Sequence, residues 1–187
     1  GVNRLFRLGL SRKELMERGV KIGADVPYCI LRGTALAEGI GEKLTPLTPA
    51  PDCHVLIAKP PISVSTKFVF ETLHLVQLVA HPDIDGIRRP VEEGDLCGMV
   101  SRMGNVLETV TIPAYPQIGQ ISELMKENGA LGAMMSGSGP TVFGIFKNKE
   151  EAVHCKEVLE QKQAEMQWTE KGYQPVKQIF VTEFVSA

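Results

Sequence analysis

The chain has 187 residues, enough for one large or two small domains, each with a core of its own. Its 20 Lys and Arg against 22 Asp and Glu leave a formal charge of -2 and no basic patch, which argues against a nucleic-acid partner. No apolar run approaches the length that crosses a membrane, so no membrane partner is expected. Cys29, Cys53, Cys97 and Cys155 are far apart, without the close pairs that zinc sites favour. With no leader segment in view, they read as reduced thiols of a cytoplasmic protein. The chain opens on Gly1 and meets Leu5, Phe6, Leu8 and Leu10 almost at once, a pattern that suits the interior of a longer protein.

In chain order, Val2 to Leu8 reads as the end of a helix stopped by Gly9. Ser11 and Glu14 have the spacing of a capping box, which predicts a helix over 12–18 ending at Gly19. Gly23-Ala24-Asp25-Val26-Pro27 follows. Pro27 fixes its own φ and biases Val26 away from the α region, so a stiff bend holding a partly buried Asp25 is expected. Such a carboxylate is a candidate general base, although for an isolated Asp an ordinary cap or turn is the better bet. Residues 34–38 and 43–47 flank Gly39-Ile40-Gly41-Glu42 as a hairpin. Pro46, Pro49 and Pro51 then form a stiff connection, and the domains are expected to span 1–58 and 59–187.

His54 to Ala58 suits a buried strand. Ser65 caps an expected helix from Thr66 to about Val79, with Val69, Phe70, Leu73, Val76 and Leu78 on its apolar face. Residues 96–103 and 116–128 read as helices, 131–135 and 141–146 as strands, 150–166 as a helix and 177–184 as a final strand. That order predicts an α+β fold: an antiparallel sheet with helices on one face, of the ferredoxin-like split βαβ type.

Ser136-Gly137-Ser138-Gly139-Pro140 lies between two of these strands. Its glycines allow successive N–H groups to converge on an anion, or simply a tight hairpin. Thr66 and Phe70 lie four apart on one helix face, where an aromatic is more often core than ligand platform. The four histidines show no metal-ligand spacing, so no metal-binding residue is assigned. Arg88-Arg89 reads as a solvated pair in a loop.

Taken together, Gly23 to Pro27, Gly33-Thr34-Ala35-Leu36-Ala37-Glu38-Gly39-Ile40-Gly41-Glu42 and Met135 to Gly139 closely resemble the GHMP kinase superfamily. Within it they resemble the branch acting on 4-diphosphocytidyl-2-C-methyl-D-erythritol, in the non-mevalonate route to isoprenoids. Asn3-Arg4-Leu5, Leu8 to Ser11, and Val64-Ser65-Thr66 running into Phe70 agree with it. The resemblance implies ATP with Mg2+ as cofactors and that small molecule as substrate. By it, Asp25 takes the proton from the 2-hydroxyl that receives the phosphoryl group. Gly137, Ser138 and Gly139 form the third glycine-rich motif, and Thr66 and Phe70 contact the cytidine, Phe70 by stacking. The fold implied is the tail of an S5-like α/β domain followed by a ferredoxin-like GHMP C-terminal domain. Such kinases also carry a lysine and a Pro-x-x-x-Gly-Leu-Gly-Gly-Gly-Ser-Ser phosphate loop upstream, and neither occurs here, so this portion is expected to be inactive alone. The alternatives are another GHMP small-molecule kinase, such as a homoserine or mevalonate kinase, and a non-catalytic ferredoxin-like ligand-binding module.

Overall fold

The computed structural model describes residues 1–73, 81–165 and 178–184, which fall into two units dividing between Ala50 and Pro51. In the first unit, α1 (Val2–Leu5) is a single turn and α2 (Arg12–Gly19) starts at the capping box. Ser11 Oγ accepts from the Glu14 N–H at 3.2 Å, and the Glu14 carboxylate accepts from the Ser11 N–H at 2.8 Å. A reciprocal cap of this kind is worth about 1 kcal/mol. α3 (Val26–Leu31) packs on α2 where Gly19 lies; a Cβ there would come within 2.8 Å of Val26 Cγ1, so the helices approach as only glycine permits. β1 (Ala35–Glu38) and β2 (Lys43–Pro46) form the expected antiparallel hairpin. The Glu42 carboxylate accepts from the Ile40 N–H at 2.7 Å across its tip.

The second unit is built on a four-stranded sheet. Leu56 and Ala58 are fully buried and Val55 nearly so, which makes β3 (His54–Lys59) apolar on both faces and suits a central strand. It pairs antiparallel with β5 (Val142–Phe146) on one side and β6 (Gln178–Glu183) on the other. β4 (Gly132–Met135) pairs with β5, giving the order β4-β5-β3-β6 with all neighbours antiparallel. This is the ferredoxin-like order: the first strand lies between the third and fourth, and the second forms an edge. Because β3 belongs to this sheet, a division at 58/59 would cut it from its partners; the observed division comes earlier, among the prolines.

Between β3 and β4 run α4 (Thr66–Thr72), α5 (Ile84–Glu93), α6 (Leu96–Val100), α7 (Glu108–Ala114) and α8 (Pro116–Glu127). α9 (Lys149–Glu165) joins β5 to β6. α8 and α9 cover one face of the sheet: Ile118, Ile121 and Met125 of the former and Ala152, Cys155 and Leu159 of the latter meet Leu56, Met135, Val142 and Phe146. Each large apolar side chain buried here contributes roughly 1.5–3 kcal/mol.

Three expectations need correction. α4 ends at Thr72, because Leu73 is extended (φ -69°, ψ 113°), and the remainder of the expected helix, including Val76 and Leu78, lies outside the described residues. α5 contains Arg88-Arg89, read as a pair in a loop and in fact helical, and α7 is a helix for which no element was expected; each has a proline inside, Pro90 and Pro113. α6 stops at Val100, short of Met103.

Candidate functional site

Asp25 belongs to the first unit and takes the N-cap position of α3. Its backbone is already helical (φ -82°, ψ -12°), and Pro27 stands in the first turn, where its missing N–H costs no hydrogen bond. The expected stiff bend is thus the start of a helix. The partly buried carboxylate is corrected too: Asp25 is exposed, and its side chain caps no N–H of α3. An ordinary capping role is therefore excluded. The β1–β2 hairpin comes close to this segment. A Cβ on Gly41, whose φ is +107°, would lie 3.7 Å from the Ala24 carbonyl oxygen. Tyr28 Oη donates to the Gly33 carbonyl at 2.7 Å, tying α3 to the strand that follows. The two stretches that stand out in the N-terminal sequence thus meet in space.

In the second unit, Ser136 to Pro140 form the β4–β5 connection. Gly137 and Gly139 both have positive φ, +56° and +86°. The Ser136 N–H donates to the Thr141 carbonyl at 2.8 Å and the Gly139 N–H to the Ser136 carbonyl at 3.0 Å. Among the described residues, the Gly137 and Ser138 N–H groups find no acceptor. Two consecutive free N–H groups on an exposed glycine loop are what an anionic oxygen requires. Thr66, at the start of α4, places Oγ1 3.0 Å from Ser138 Oγ, so two residues singled out separately in the sequence are neighbours.

Phe70, one turn along α4, is not core: it is 59% exposed, whereas the adjacent Val69 is fully buried. Its ring lines a cavity of about 400 Å³ with Leu73, Pro82, Val106 and Leu107, an apolar wall suited to the face of a planar ring.

Sequence reasoning missed the residues that hold the glycine loop. Asn105 Nδ2 donates to the carbonyls of Met135 and Gly137, both at 2.8 Å, while its Oδ1 accepts from the Leu107 N–H at 3.0 Å. Glu108 Oε1 accepts from the Met135 N–H at 2.7 Å. Thr111 Oγ1, fully buried, donates to the Ser138 carbonyl at 3.4 Å. Asn105-Val106-Leu107-Glu108 has the Asn-x-x-Glu spacing of a helix cap, which marks a helix start. Its use for gripping a distant strand leaves no local signal.

Comparison with known proteins adds kinship to this geometry. Residues 76–165 match the family described as GHMP kinases C terminal. Over 176 residues the chain is 56% identical to the 4-diphosphocytidyl-2-C-methyl-D-erythritol kinase of Lachnospira eligens, a match covering 94% of this chain and 61% of that protein. It is 57% identical over 152 residues to the protein of the same name from Lachnoclostridium phytofermentans, covering 81% and 52%. The chain therefore spans about half to three fifths of the length of these relatives. A crystal structure of 4-(cytidine 5'-diphospho)-2C-methyl-D-erythritol kinase superposes with a TM-score of 0.76 at 22% identity, over 100% of this chain and 61% of that one. Homoserine kinase from Cytophaga hutchinsonii gives 0.74 at 18%, with the same coverage. Scores so close show the shared fold and do not separate one acceptor from another. By sequence and by fold the chain is similar to the GHMP kinases, and the residues that match their C-terminal family lie within its second unit.

Proposed function

We propose that this chain is part of a kinase that transfers the γ-phosphoryl group of ATP to the 2-hydroxyl of 4-diphosphocytidyl-2-C-methyl-D-erythritol, in cytoplasmic isoprenoid precursor synthesis. The observation that carries this is the 48–57% identity to relatives bearing that kinase's name. In this reading Asp25 accepts the proton of the acceptor hydroxyl, for which an exposed carboxylate not engaged in capping is available. Phe70 stacks on the cytosine in its apolar cavity, with Thr66 at the edge of that subsite. The free N–H groups of Gly137 and Ser138 fit a phosphate oxygen, and Gly139 completes the turn. ATP, when bound, supplies the phosphoryl group. Transfer of this kind depends on positioning and on neutralising the transferred charge.

Mg2+ is the metal that the resemblance implies, and such an ion is held by one or two carboxylates together with the substrate phosphates. Among the described residues no group of three or more His, Cys, Asp or Glu side chains is placed to hold a metal ion. The sequence also contains no Pro-x-x-x-Gly-Leu-Gly-Gly-Gly-Ser-Ser run. In this reading the phosphate cradle comes from sequence beyond these residues, and residues 1–187 alone do not turn over. The test is phosphorylation of 4-diphosphocytidyl-2-C-methyl-D-erythritol by the full-length protein, beside homoserine and mevalonate as competing acceptors. Preference for either competitor overturns the assignment, and turnover by residues 1–187 free of full-length enzyme overturns the inactivity.

A further inference from the structure

We propose that Asn105 is a positioning residue that aims the glycine loop at its phosphate; the inference rests on the proposed kinase function. The Asn105 amide donates both of its hydrogen bonds to the loop backbone, to the carbonyls of Met135 and Gly137. In a trans peptide the C=O and N–H point in opposite directions. Drawing the Gly137 carbonyl toward Asn105 therefore turns the Ser138 N–H the other way, and that N–H is one of the two with no acceptor among the described residues. Thr111 pulls the Ser138 carbonyl in the same manner, which sends the Gly139 N–H back to the Ser136 carbonyl. Asn105 thus helps select which loop N–H faces outward and which closes the turn.

The amide is also fixed from behind. Its Oδ1 is held by the Leu107 N–H, so the flipped orientation would lose all three hydrogen bonds. Gly104, Asn105, Val106 and Leu107 belong to the wall of the Phe70 cavity. One short segment therefore borders the cavity that takes the acceptor base and holds the loop that takes the phosphate. The proposal assigns to it the fixed spacing between the two, which a transfer in line requires.

The experiment uses the full-length kinase. Asn105→Asp keeps the shape and the acceptor for Leu107 but removes both donors; Asn105→Ser returns one donor. The Asp variant is expected to lose kcat roughly ten- to a hundred-fold, with the KM for the cytidine substrate within about threefold, and the Ser variant to recover part of the loss. Hydrogen–deuterium exchange of the peptide spanning residues 135–141 provides a readout independent of turnover, and the Ser136 and Gly139 amides should exchange faster in the Asp variant. Unchanged exchange overturns the positioning role, as does a loosened loop with wild-type kcat. A fall in thermal stability with kcat per folded enzyme intact reduces Asn105 to scaffold. Wild-type enzyme that fails on this acceptor overturns the functional reading, while the exchange result still decides whether Asn105 sets the loop.

Discussion

Thr66 Oγ1 and Ser138 Oγ lie 3.0 Å apart, joining the first turn of α4 to the glycine loop. One helix thus carries Phe70 on the cavity wall and, one turn earlier, a hydroxyl against the loop. A lone hydroxyl pair at the surface contributes only about 0.5–1.5 kcal/mol, so its value lies in alignment. Thr66→Val and Ser138→Ala should each lower kcat/KM, and the double variant should lose less than the sum of the two. Strict additivity in a double-mutant cycle would show that the two hydroxyls act separately.

Phe70→Leu in the full-length kinase should weaken binding of the cytidine substrate more than binding of ATP. Loss of a base-stacking contact costs about 1–3 kcal/mol in nucleic-acid binders, an effect calorimetry resolves. Because the ring is 59% exposed, thermal stability should barely move. Equal loss for both substrates, with a lower melting temperature, would return Phe70 to a packing role.

Asp25→Asn keeps the shape of the side chain and removes the base. Positioned general bases contribute roughly 10²–10⁴-fold, so kcat should fall on that scale while KM values move far less. Stability should hardly change, since the Asp25 carboxylate caps no helix N–H. Near-normal kcat in the folded variant, with chemistry shown to be rate-limiting, would end the assignment.

The four cysteines divide cleanly. Burial pushes the Cys53 and Cys155 thiols up to about 11, the negative charge of Asp52 adding to the effect at Cys53. Cys29 and Cys97 are exposed. At about pH 8 iodoacetamide should label Cys29 and Cys97 and spare Cys53 and Cys155, as peptide mapping would show. Unfolded thiols ionise near ~8.5, so the stability gained by keeping the buried pair neutral is complete below that pH and is lost as pH rises through about 11. Equal labelling of all four in the native protein would contradict the burial.

Features set by neighbours in sequence were readable from it. The Ser11–Glu14 box fixed the start of α2, and Gly39 with Gly41 marked the β1–β2 turn. The order of strands and helices from His54 onward was enough to predict the ferredoxin-like sheet. A proline misled at one place: Pro27 suggested a bend where it opens a helix, because in the first turn no partner is due for its missing N–H. Exposure was the other failure. The apolar neighbours of Asp25 suggested burial and Phe70 looked like core, yet both face outward, since exposure depends on what packs against an element. The Asn105 and Glu108 contacts span 27 to 32 residues, and only the folded sheet brings them to Met135 and Gly137.

That grip also affects the sheet's outer boundary. β4 is an edge strand, and an open edge invites a strand from another molecule to add itself. Here the Met135 N–H is taken by Glu108, the Met135 carbonyl by Asn105, and the Ala133 carbonyl by the buried Ser122 hydroxyl at 3.2 Å. An incoming strand would find these three outward backbone groups already bonded. The side chains that hold the glycine loop therefore also blunt the β4 edge of the sheet against pairing with another molecule.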